Sequence, residues 1–133
     1  MLLASDEIDT MKQAWDEFDF FLVHYKYSDS TGEDGLFDEK VRRIEEFDAH
    51  IPSIMELQPD VLIATGDHST PSALRAHRWH PVPLLLAART CRPDRVMQFG
   101  EQECLLGGLG QIEARYILPL ALAHTLKLKK YGA

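Results

Sequence analysis

The sequence predicts an α/β fold in which a sheet is covered by helices. Three observations lead there. The runs Phe20-Phe21-Leu22-Val23, Val61-Leu62-Ile63-Ala64 and Pro83-Leu84-Leu85-Leu86-Ala87 are apolar at every position instead of at alternate ones. That is the pattern of strands buried on both faces. Stretches with helical periodicity precede, separate and follow these runs, in the order helix, strand, helix, strand, strand, helix. The chain has 133 residues, a one-domain length large enough for one core.

The elements follow in order. Ser5-Asp6-Glu7 resembles a helix start, a capping side chain followed by two acids at the positive end of the helix dipole. Ile8, Met11, Ala14 and Phe18 continue it at nearly 3.6-residue spacing, which predicts a helix over 6–17. Aromatic and β-branched residues at 20–25 predict a buried strand. Residues 27–35 hold turn formers and acids with almost no apolar side chain, and predict a loop. Phe37, Val41, Ile44, Phe47, Ile51 and Ile54 form one stripe of a helix over 37–57, which Pro52 should kink or shorten. Strands are predicted at 60–65 and 83–87, with a long polar loop at 66–80 between them. Residues 96–99 are a weaker candidate for a fourth strand. Gly107, Gly108 and Gly110 mark a tight turn. A last amphipathic helix is expected over 111–126, interrupted by Pro119, with Lys127, Lys129 and Lys130 complementing its negative end.

Composition narrows the function. Hydrophobic residues are 45% and charged residues 26%, both ordinary for a soluble domain. The net charge is −7, the wrong sign for a phosphate-backbone binder, so no nucleic-acid partner is expected. No apolar run is long enough to span a bilayer and no signal-peptide pattern follows Met1, so a cytoplasmic, non-membrane protein is expected. Cys91 and Cys104 are too few for a disulfide framework and lack metal or redox spacing, so they read as inert, buried thiols.

In α/β sheets ligands bind in loops beyond strand ends. Those loops here carry metal-type ligands: Asp29, Glu33 and Asp34 in the first, Asp67, His68, His77 and His80 in the second. A mixed carboxylate and imidazole set suits Zn²⁺, Mn²⁺ or Fe²⁺ better than Ca²⁺. Neighbouring side chains diverge in extended chain, so Asp67 and His68 past a strand end hint at two ions. By composition alone the plainer reading, a solvated polar loop, stands ahead, and Asp67 and His68 also suit a cap or turn. His24 reads as a hydrogen-bonded core residue, His50 and His124 as surface residues, Trp79 as packing.

Thr65-Gly66-Asp67-His68-Ser69-Thr70-Pro71 followed by His77-Arg78-Trp79-His80-Pro81-Val82-Pro83 resembles the cofactor-independent (2,3-bisphosphoglycerate-independent) phosphoglycerate mutases of archaeal type, in the alkaline phosphatase superfamily. Phe21-Leu22-Val23-His24-Tyr25-Lys26 with Asp29, Gly32, Asp34-Gly35, Lys40 and Ile44-Glu45 resembles the same family, as do Phe99-Gly100-Glu101, Gly107, Leu109-Gly110 and the closing Lys130-Tyr131-Gly132-Ala133. The resemblance runs from about residue 5 to residue 133.

It implies a three-layer α/β/α architecture in which residues 1–133 are a single partial domain, the C-terminal segment of an alkaline-phosphatase-like domain. It also implies interconversion of 3-phosphoglycerate and 2-phosphoglycerate through a phosphoserine flanked by two divalent ions. Asp29 and His77 match ligands of the first ion, and Asp67 and His68 match an adjacent pair at the second. Glu33 stands where the family has a histidine. Its oxygen either keeps the site with a shifted preference among Mn²⁺, Zn²⁺ and Mg²⁺, or the site is lost. His80 is a candidate for support of the site or the phosphate, with a turn role as the alternative. The family's N-terminal segment with the nucleophile, and its inserted lid-like domain, have no counterpart here, and Ser28, Ser30 and Ser69 do not replace the nucleophile. The expectation is therefore a chain inactive alone that partners with an N-terminal half, or with a second copy through an open sheet edge. A diverged non-catalytic metal-binding or assembly module is the alternative.

Overall fold

The computed structural model describes residues 4–128. The chain divides into two compact units: residues through Pro59 together with Thr70–Arg78, and Asp60–Ser69 together with the chain from Trp79 onward.

The first unit is helical. Helix α1 spans Ala4–Gln13 and buries Ala4, Ile8 and Met11, one face at helical spacing. It ends four residues before the predicted stop because the aromatic residues beyond it gather among themselves: Trp15 stacks on Phe21 with centroids 5.0 Å apart, and Phe18 meets Phe21 edge-on. The predicted strand at 20–25 is not formed. The segment has no regular secondary structure, and Phe20 and Leu22 are 67% and 83% exposed. Strand propensity expresses fit to a pleated, half-buried surface, and this unit holds no strand among the described residues to supply one.

The predicted loop at 27–35 is instead helix α2, Tyr27–Glu33. Its hydroxyl residues turn inward to the backbone: Thr31 Oγ1 donates to the Tyr27 carbonyl at 2.8 Å and Ser30 Oγ to the Lys26 carbonyl at 3.3 Å. The helix closes as a Schellman motif, with Gly35 N–H on the Gly32 carbonyl and Leu36 N–H on the Thr31 carbonyl. Gly35 occupies the left-handed region at φ 73° that this closure needs.

The single helix predicted over 37–57 is two, α3 at Phe37–Asp48 and α4 at Ile51–Met55. Pro52 is the cause. It lacks the N–H that would continue the ladder and lies in the first turn of α4, where no such donor is required. On α3, Arg43 bridges Glu39 and Glu46, each at 2.9 Å, and lies over the Tyr27 ring. Tyr25 donates its hydroxyl to Glu46 Oε2 at 3.2 Å and packs on Phe47. Burial, reinforced by the bond to the Glu46 carboxylate, pushes the Tyr25 phenol up to about 12.

The second unit carries the strands. β1 at Val61–Thr65 and β2 at Leu84–Ala88 pair antiparallel with Ile63 opposite Leu86, each within a residue of its predicted span. Neither strand is fully buried. Among the described residues the sheet has these two strands, so the all-apolar runs meet only part of the cover their composition anticipates. No strand forms at 96–99. Asp94 accepts the Val96 N–H at 2.9 Å and the Gly108 N–H at 2.8 Å and folds that stretch into a turn; these two backbone bonds hold its carboxyl below the usual range. A short helix, α5 at Glu101–Cys104, was not legible in the sequence. The glycine turn is present, with Gly110 at φ 59°. The last helix is shorter than 111–126: a 3-10 turn at Ala114–Tyr116 leads into α6, Ile117–His124. Pro119 falls in the first turn of α6, where its missing donor breaks no bond, so it shortens the helix instead of interrupting it. Lys129 and Lys130 of the predicted basic cluster, and the closing Lys130-Tyr131-Gly132-Ala133, lie outside the described residues.

Two outcomes follow from the first unit. Gly35→Ala is expected to destabilise by about 1 kcal/mol through its left-handed backbone, read as a lower urea midpoint at unchanged slope. In a phenolate absorbance titration Tyr25 is expected to ionise near 12, and Glu46→Gln to lower that midpoint. Because the folded state favours the neutral phenol, the contribution to stability is present below pH about 10 and is lost as pH rises through the folded value.

Candidate metal centre

Helix α2 places Asp29 and Glu33 four residues apart, on one face of the helix. His77 arrives from the stretch after the Pro71–Arg75 turn. Its Nε2 lies 3.5 Å from Asp29 Oδ1 and 3.3 Å from Glu33 Oε1. Three of the predicted ligands therefore come together within one unit. Their exposure differs: the Asp29 side chain is 12% exposed, while those of Glu33 and His77 are about half exposed. The site is thus a partly sheltered carboxylate with an imidazole and a second carboxylate at its rim.

The surroundings of Asp29 are built. Lys26 Nζ pairs with Oδ2. Thr70 Oγ1 donates to Oδ1 at 2.6 Å. The Thr70 carbonyl in turn accepts Lys40 Nζ at 2.7 Å. Lys26, Lys40 and Thr70 belong to the family-like motifs of the sequence, but residue type alone assigned them no role. The available signal was the spacing that puts Lys26 one turn before Asp29, and a buriable hydroxyl three residues after Asp67.

In the second unit, Asp67 and His68 follow the end of β1 and Gly66. They do not diverge as neighbours on extended chain would. His68 N–H donates to Asp67 Oδ1 at 3.0 Å, and His68 Nε2 lies 3.4 Å from Asp67 Oδ2, because the chain has left the strand at Gly66. Asp67 is mostly exposed and His68 half-buried. His80 stacks on Trp79 with centroids 4.6 Å apart, and Trp79 is 84% exposed, so it is not a packing residue within this unit. His124, predicted at the surface, is half-buried; its Nδ1 lies 2.7 Å from Thr90 Oγ1, and Cys91 Sγ is beside the ring. Both cysteines are half-buried free thiols, not fully buried ones.

The donor chemistry at Asp29, Glu33 and His77 fits a divalent cation. Two carboxylates and one imidazole suit Mn²⁺, Fe²⁺ or Zn²⁺, and the ammonium of Lys26 already marks Asp29 as a place that accepts a cation.

The family model described as the Metalloenzyme superfamily matches residues 2–124. The chain belongs to the Metalloenzyme superfamily. That membership implies a divalent metal and accords with the donor set at Asp29, Glu33 and His77. Among curated relatives, the probable 2,3-bisphosphoglycerate-independent phosphoglycerate mutase of Aquifex aeolicus is 56% identical over 128 residues, 96% of this chain and 31% of its own length. That of Thermotoga neapolitana is 56% identical over 130 residues, 98% of this chain and 32% of its own length. One from Thermus thermophilus is 50% identical over 127 residues, 96% of this chain and 31% of its own length. The chain thus spans about a third of the length of the curated relatives it matches. Among solved structures, the PH0037 protein from Pyrococcus horikoshii superposes with a TM-score of 0.86 at 34% identity, covering 98% of this chain and 39% of that one. The α/β assignment agrees with this superfamily and this neighbour.

Glu33 gives the centre a testable signature. Replacing an anionic oxygen by a neutral nitrogen shifts preference toward Zn²⁺, so Glu33→His is expected to raise Zn²⁺ affinity and lower Mn²⁺ affinity. Calorimetry with each ion on both variants reads this. Unchanged affinities for both ions would remove α2 from the metal.

Proposed function

We propose that this chain is the C-terminal part of a metal-dependent phosphoglycerate mutase, interconverting 3-phosphoglycerate and 2-phosphoglycerate through a phosphoserine. The observation that carries the reading is the convergence of Asp29, Glu33 and His77, with Lys26 and Thr70 holding Asp29, in a chain 50–56% identical to probable mutases over nearly its whole length. Asp29, Glu33 and His77 would hold one ion, and Asp67 with His68 would contribute to a second, with Mn²⁺, Zn²⁺ and Mg²⁺ the candidates. Such ions, when bound, screen phosphoryl charge and favour an ionised hydroxyl nucleophile. The residues of this chain supply the rest of the first centre. Asp29 offers an oriented, sheltered carboxylate, His77 an imidazole nitrogen donor, and Glu33 a second carboxylate whose hard oxygen donor favours harder ions such as Mn²⁺ and Mg²⁺.

A serine nucleophile and the grip on phosphoglycerate would come from the other two thirds of the relatives' length. Residues 1–133 are then one partial domain, working with an N-terminal complement. The bare aromatic stretch at 20–25, with Phe20 and Leu22 largely exposed, supports that reading because it is a strand sequence without a strand neighbour among the described residues of its unit. Among the described residues no helix is long and apolar enough to cross a membrane. A glycolytic role in the cytoplasm is the corresponding proposal.

Complementation tests it. The chain alone is expected to show no mutase activity. Mixing it with the N-terminal two thirds of the Aquifex aeolicus relative in the presence of Mn²⁺ is expected to restore turnover, and Asp29→Asn to abolish it. Dialysis-resistant turnover by the chain alone would overturn the requirement for a complement. A mixture in which the two pieces bind but do not turn over would overturn the mutase reading.

A further inference from the structure

Thr70 is among the most buried polar residues described, at 4% exposure, and its hydroxyl has one proton to give. That proton goes to Asp29 Oδ1 at 2.6 Å, a short bond to an anionic acceptor. Thr70 is itself held on two sides. Its carbonyl accepts Lys40 Nζ at 2.7 Å. The same carbonyl presses against α2 at Gly32, where a Cβ would lie 2.4 Å from the oxygen and 3.1 Å from the Thr70 methyl. Only a residue without a side chain allows that approach. With Lys26 on Oδ2 and Thr70 on Oδ1, both oxygens of Asp29 are tied while Oδ1 stays 3.5 Å from His77 Nε2.

We infer that Thr70 is a positioning residue that fixes the Asp29 carboxylate toward His77, with Lys40 and Gly32 fixing Thr70. The geometry is independent of any ion. The consequence for metal affinity rests on the reading of Asp29 as a ligand. A hydroxyl donated to one carboxylate oxygen sets the side-chain rotamer and leaves that oxygen a further lone pair to offer. Removing the hydroxyl loosens the rotamer, leaving Lys26 as the tether on Oδ2, without removing the charge.

The test uses the full chain in four forms: unchanged, Thr70→Val, Thr70→Ser and Lys40→Met. The first readout needs no metal: the Hα–Hβ couplings of Asp29 by NMR. A single rotamer is expected in the unchanged chain and in Thr70→Ser, an average in Thr70→Val, and partial averaging in Lys40→Met. The second readout is Mn²⁺ affinity by calorimetry. Thr70→Val is expected to weaken it about tenfold or more and Thr70→Ser less than about threefold, the range typical of groups that orient metal ligands. A single Asp29 rotamer in Thr70→Val overturns the inference. So does loss of Mn²⁺ affinity in Thr70→Ser as large as in Thr70→Val, since that would indicate packing at the methyl and not the hydroxyl bond. If Thr70→Val does not fold, Lys40→Met decides, and an unperturbed Asp29 there overturns the inference. If the unchanged chain binds no Mn²⁺, the metal reading of Asp29 fails while the couplings still decide the positioning role.

Discussion

The contact between the Thr70 carbonyl and the bare backbone of Gly32 is the constraint on which the first unit depends. A side chain at residue 32 would hold the 70–78 stretch away from α2. With glycine there, the carbonyl is close enough for Lys40 to reach it from α3, and the Thr70 hydroxyl is close enough for Asp29. Burying these groups costs free energy unless each finds a partner. The partners are found together, so the segment docks in one way. His77 then follows at a fixed distance along the chain and meets Asp29 and Glu33. A polar lock thus sets the position of an imidazole further along the same segment.

Charge is arranged around the same lock. The chain is acidic, with 21 acids against 14 bases. Two nearby carboxylates would repel one another, and Lys26 offsets part of that at Asp29. On α3, Arg43 performs the corresponding task for Glu39 and Glu46, and Glu46 in turn holds the Tyr25 proton. The pairs on α3 are partly exposed and screened, so their weight lies in orientation more than in stability. The apolar side chains are distributed differently. Met97, Leu105 and Leu106 in the second unit are 82% exposed or more, as Leu22 is in the first.

The legible parts of the sequence were those in which neighbouring residues carry the decision. Ile8 and Met11 share a helical face whatever lies beyond it, so α1 could be read. The runs at β1 and β2 are apolar throughout and bounded by turn residues, so both strands were placed within a residue. The illegible parts were those decided at a distance. Residues 27–33 look like a loop because serine, threonine, aspartate and glycine favour turns. They form α2 because Gly35 closes the helix and Gly32 is claimed by the Thr70 carbonyl, far along the chain, while Thr31 and Ser30 satisfy their hydroxyls on the helix's own backbone. Residues 20–25 have strand composition but no strand beside them among the described residues of their unit, and a strand is defined by its partner.

The sequence by itself determined the α/β class, the spans of β1 and β2, the approximate positions of α1, α3 and α6 and the identity of the candidate ligands, because periodicity, apolar runs and residue chemistry are local properties. It also carried the likeness to the mutases, since a motif is linear. Only the tertiary structure decided that Asp29, Glu33 and His77 meet, that Asp67 and His68 face each other instead of diverging, and that Lys26, Lys40 and Thr70 belong with the candidate ligands. Those facts depend on close approach between segments far apart in sequence. The space at Gly32 and the partner for each buried donor exist only once the chain has folded.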